Sequence, residues 1–141
     1  MKKGFEFISE TAGVRMRAWG KTLQELFCNS LSGMASCVKS GILETKKKEQ
    51  TVVQNIRVEA VDIASLLVEF LSSAVAHADA HTAVFVGATF NHFGENFLEG
   101  TLRGIPVEQF DTGIKAVSYR DVNVAKNLET GMYETVLVFE T

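Results

Sequence analysis

The spacing of apolar residues changes repeatedly along this chain, and no other feature constrains its fold so tightly. Phe5 and Phe7 flank Glu6, which predicts a short strand over 4–8. Val14, Met16 and Ala18 alternate with Arg15, Arg17 and Trp19 and predict a second strand ending at Gly20. The spacing then turns helical, with Leu23, Phe27, Leu31, Met34 and Val38 on one face. Thr22, followed three residues later by Glu25, has the capping-box form that satisfies amides left unpaired by the first helical turn. Gly41 is the expected stop. Val52, Val53, Ile56 and Val58 predict a strand across 51–59. A second helix is expected from Asp62 as N-cap to about His77, burying Leu66, Leu67, Phe70, Leu71, Ala74 and Val75.

From Ala83 onward only strand patterns remain. Val84, Val86, Ala88, Phe90 and His92 lead into a turn at Gly94-Glu95-Asn96, and Phe97 to Arg103 pairs back as a hairpin. Gly104-Ile105-Pro106 is expected to break the ladder, because proline has no amide proton to donate. Strands over Ile114–Tyr119, Val122–Val124 and Tyr133–Phe139, with a turn at Thr130-Gly131, complete the order. Two strands, helix, strand, helix and then hairpins specify an α+β fold, with two helices packed on a mixed, largely antiparallel sheet. Strand order stays open.

A chain of 141 residues has the size of one domain, expected over 1–141, and buries enough surface to fold without disulfides or metal. The formal charge of −3 is unevenly spread: residues 1–50 carry an excess of Lys and Arg, residues 51–141 an excess of acids. Lys46-Lys47-Lys48 can meet phosphate or an acidic partner, although a solvated loop or helix end is the simpler reading. Cys28 and Cys37, nine residues apart, lack metal-ligand spacing and are expected to be buried free thiols. No signal-peptide pattern opens the chain, and no apolar stretch approaches a membrane span, since Ala64 to Ala76 is short and contains Glu69. A cytoplasmic protein is expected.

Phosphate loops, nucleophile elbows and zinc-protease motifs are absent from the sequence. His77, Asp79 and His81 form the strongest enzyme candidate, because a helix end can gather them around a metal or substrate. The dipole of the preceding helix explains His77 equally well. Cys28 has no base that the sequence places beside it. Trp19 lies on the polar register of its strand and is either core or an exposed interface residue.

Several segments together resemble one family. Glu10-Thr11-Ala12-Gly13 stands where archeases carry a His-Thr-Ala-Asp-like tetrapeptide, and Gly20-Lys21-Thr22-Leu23 resembles their helix entry. DIASLLVEFL at 62–71 resembles their second helix, and Ile114-Lys115-Ala116-Val117-Ser118-Tyr119 resembles their Lys-Ala-Val-Thr-Tyr strand. Val136 to Thr141 resembles a terminal strand that closes on an aspartate and one further residue. The resemblance covers nearly the whole chain in order. It implies a strand–helix–strand–strand core with an inserted unit. It also implies a non-catalytic accessory protein that assists guanylylation and turnover of the GTP-dependent ligase of tRNA splicing and RNA repair. The implied partner is that ligase, with tRNA or other RNA reached only indirectly, and neither membrane nor DNA. Lys115 matches the family's partner-activating lysine.

The resemblance further implies a metal site, for calcium or another divalent cation, built from the tetrapeptide aspartate, the C-terminal aspartate and a terminal carbonyl. Here those positions hold Gly13, Glu140 and Thr141, Glu10 replaces the tetrapeptide histidine, and Arg120 replaces the histidine after the Lys-Ala-Val-Thr-Tyr strand. Glu10 restores a ligand only if it turns toward position 13, against strand alternation. Weak or absent metal binding is therefore expected. The rival reading is a small-ligand or protein-binding module on the same fold that has lost both metal and ligase roles.

Overall fold

The two expected strands, β1 (Phe5–Ile8) and β2 (Val14–Gly20), pair antiparallel, with Phe5 opposite Ala18 and Phe7 opposite Met16. The computed structural model describes residues 4–8 and 13–141. Helix α1 spans Leu23–Val38, and Thr22 Oγ1 caps it by accepting from the Glu25 amide at 3.1 Å. Its inner face buries Leu26, Phe27, Leu31 and Met34. Single 3-10 turns at Ile42–Glu44 and Lys47–Glu49 follow, the first entered through Gly41 at φ +78°. Lys46, Lys47 and Lys48 are exposed.

After β3 (Val52–Glu59), Asp62 Oδ1 accepts from the Ser65 amide at 2.8 Å and caps α2, Ile63–His81. The helix passes its expected end at His77 by one turn and stops at Thr82, whose φ of +48° is left-handed. The extra turn, Ala78 to His81, carries no large apolar residue that would reveal it. At 19 residues α2 is long and apolar enough to cross a membrane, contrary to the expectation that no stretch is. In this fold its apolar side packs on β3 and β4 and buries Leu66, Leu67, Val68, Phe70, Leu71 and Ala74.

The remaining strands are β4 (Ala83–Phe93), β5 (Phe97–Pro106), β6 (Ala116–Val117), β7 (Ala125–Lys126) and β8 (Tyr133–Glu140). They divide between two sheets, and every described pairing is antiparallel. One sheet runs β3-β5-β4; the other runs β1-β2-β8-β6, with β7 also on β8. Contrary to expectation, β5 continues through Pro106. Val107 donates to Thr82 O on the β4 side, so the proton missing from Pro106 would face β3, which has already ended opposite Gly104. The expected Ile114–Tyr119 strand shrinks to two residues, and Val122–Val124 is not a strand at all. Val122 and Val124 instead pack half-buried on the core, which produces the same alternation without a ladder.

One core joins the two sheets and both helices. Met16, Leu137 and Phe139 come from one sheet, Leu98 and Leu102 from the other, and Phe27 and Phe70 fill the space between. The Phe27 ring lies 5.6 Å from Phe70 and 4.9 Å, edge-on, from Phe93.

Candidate functional site at the end of β8

Both edges of β8 are used at its C-terminal end. On one edge Val14 pairs with Phe139, which brings Gly13 alongside Glu140. On the other, Ala116 pairs with Glu140 and Val117 with Phe139. The Lys115 amide donates to Glu140 O at 2.7 Å, and the Ser118 amide donates to Val138 O at 2.9 Å. Ile114 and Val117 are buried, so they anchor the segment on either side and leave Lys115 and Ala116 exposed. Lys115, Glu140, Thr141 and Gly13 thus share one corner, with the Glu140 and Thr141 side chains open to solvent. Glu10 lies outside the described residues.

Two side-chain contacts hold the segment behind Lys115. The Tyr119 hydroxyl donates to Glu69 on α2, and Arg15 on β2 pairs with Asp121 at 2.9 Å. Arg120 is exposed in the turn between them, its amide donating to Ser118 Oγ at 2.9 Å. Sequence reasoning missed the Tyr119–Glu69 latch; its one trace was an acid inside the apolar run of α2. That bond, then burial and the charges of Glu69 and Asp62, push the Tyr119 phenol up to about 12. A group whose folded value is raised contributes its stability below its unfolded value near 10 and loses it as pH climbs through about 12. Tyrosinate absorbance should therefore show a late ionisation step near pH 12 that Tyr119→Phe removes. A Tyr119→Phe curve that keeps the late step would contradict the latch.

Gly13 decides whether the metal implied by the resemblance fits. Its φ is +107°, a conformation that L side chains rarely adopt, and a Cβ there would stand 2.5 Å from Phe139 O. An aspartate cannot occupy this position without moving β2 or β8. Among the described residues, no group of three His, Cys, Asp or Glu side chains is placed to hold a metal. The described residues do not fit the implied site.

The other candidates separate. His77 and His81 stack with ring centroids 6.2 Å apart, and His81 Nε2 lies 3.2 Å from Gln54 Oε1. Asp79 is two positions from each and on a different side of α2, where it borders a small cavity with Met34 and Phe85. The three candidate residues do not gather. Burial, then the neighbouring His81, lowers the His77 value. Cys28 and Cys37 are half-buried rather than buried, and burial raises both thiols, the reverse of what a nucleophile needs. Trp19 is half-buried beneath the Arg17 guanidinium, 4.7 Å from its ring.

Comparison with known proteins gives one consistent result. The profile of the archease protein family matches residues 5–140. Protein archease of Methanosarcina barkeri is 28% identical over 141 aligned residues, covering 90% of each chain. Protein archease of Sulfurisphaera tokodaii is 28% identical over 128, covering 85% of this chain and 87% of that one. Protein 1598 of Methanobacterium thermoautotrophicum, solved in solution, superposes with a TM-score of 0.78 at 20% identity, covering 99% of this chain and all of that one. A crystal structure described as an archease and possible chaperone, from Thermotoga maritima, gives 0.63 at 16%, covering 95% and 94%. With the family's sequence profile and its two-helix, antiparallel architecture both present, this chain belongs to the archease family.

Proposed function

We propose that this protein is a non-catalytic accessory factor that assists guanylylation and turnover of a GTP-dependent RNA-splicing and repair ligase in the cytoplasm. The observation that carries the reading is Lys115 itself. It is exposed, flanked by the buried Ile114 and Val117, and tied through its own amide to the end of β8. A lysine presented this way is a mobile point charge on a fixed base, suited to steadying nucleotide phosphates in a partner's active site. The possible-chaperone description of the Thermotoga protein suits the same kind of role. tRNA and other RNA enter only through the ligase.

The test is the rate at which the source organism's RNA ligase takes up guanylate from GTP, with and without this protein. Stimulation is expected, and Lys115→Ala is expected to reduce it on the order of tenfold, the equivalent of about 1.4 kcal/mol of lost contact. Lys115→Arg should retain part of the effect. No acceleration at any ratio of the two proteins, with any divalent ion, would remove this reading.

The rival is a protein-binding module without a ligase. It draws on an open groove of about 780 Å³ between β1 and the end of α1, where Phe7 and Leu43 are exposed. The apolar cavity beside Asp79, about 30 Å³, has room for water but not for a small ligand.

A further inference from the structure

We infer that the corner at the end of β8 is closed by backbone pairing and works without a divalent cation. This inference rests on family membership and on Gly13 occupying the family's first ligand position. Gly13 lacks a carboxylate, and its surroundings also exclude one. Main chain already fills the space a side chain would need: Phe139 O lies 2.5 Å from the position of a Cβ, and Glu140 Cα lies 3.7 Å from it. The φ of +107° adds a conformational cost for any residue with a Cβ.

The oxygens that remain are few and partly committed. Glu140 O accepts the Lys115 amide, so the last ladder carbonyl of β8 already has a partner. Among the described residues, the exposed side chains of Glu140 and Thr141 are left; Glu10 lies outside them. Calcium gathers about six to eight oxygens, and magnesium held by one exposed carboxylate keeps most of its waters. A cation shared between carboxylates would tie β2 to β8 at their ends. Here Val14–Phe139 pairing on one edge and Ala116–Glu140 pairing on the other tie the strands directly.

Calorimetry of the purified chain tests this. With calcium, manganese or magnesium, and then with chelator, the unfolding midpoint is expected to stay within about 1 °C. A hundredfold excess over the Kd of a real site would raise it by roughly 8–13 °C. A cation-dependent rise above about 3 °C, or calorimetric binding abolished by Glu140→Ala, would overturn the inference. Gly13→Asp restores the missing carboxylate; its midpoint should fall and stay indifferent to cations. Recovery of that midpoint on adding calcium would show that the corner has room, and would equally overturn it. If Gly13→Asp does not fold, the native chain still decides. The assay uses no ligase, so failure to stimulate guanylylation would remove the proposed function and leave this inference untouched.

Discussion

Phe27→Ala should lower the unfolding midpoint by roughly 10–20 °C. Phe27 is fully buried, packs at a tilt against Phe70 of α2 and meets Phe93 of β4 edge-on, so one ring joins both helices to the β3-β5-β4 sheet. Truncating a buried phenylalanine typically costs about 3–5 kcal/mol, the lost transfer energy plus the cavity left behind. Each kcal/mol moves the midpoint of a domain this size by about 3–5 °C. A total stability of about 5–15 kcal/mol makes that a large share. The cavity cannot collapse cheaply, because its walls come from two helices and a strand fixed by their own hydrogen bonds. Thermal unfolding followed by circular dichroism measures the change. A shift below about 3 °C would mean that the two helices are not joined through this ring.

Gly100→Ala should be nearly as damaging, for the opposite reason. Gly100 sits in β5, the central strand of its sheet, opposite Phe90. A Cβ there would fall 2.2 Å from Thr89 O and 3.2 Å from Phe90 Cα. Those are backbone atoms of a paired strand, so no flexible side-chain end can swing aside. β4 must separate from β5 next to the register shift between Phe90 and His92, at a cost of about 3 kcal/mol. Urea titration of the variant gives the loss directly. Native-like stability would show that the bulge absorbs a methyl group, contrary to the geometry.

Legibility in the sequence followed the range of the interactions involved. Thr22 and Asp62 were readable as caps because a cap is made within three residues by the side chain itself. The short ladder β7 was not, and β6 was read too long, because each exists only where β8 offers an edge, and β8 comes later in the chain. The alternation of Val122 and Val124 reflects packing against the core, which a period of two cannot distinguish from pairing. The same division runs through the site. The lack of a carboxylate at Gly13 and the resemblance around Lys115 were visible; the φ of Gly13 and its closeness to Phe139 O were not, since both involve a strand more than a hundred residues away. Glu69 read only as a stray charge until Tyr119 was found against it.

The placement of β8 also bears on how the molecule is made. The β3-β5-β4 sheet and α2 draw only on residues 52–106, so they can assemble while later residues are still being synthesised. β2 leaves the ribosome early, yet its long ladder partner is 133–140. Until those residues emerge, a strand bearing Met16 and Ala18 waits with one edge bare, which makes the nascent chain most prone to self-association in that interval.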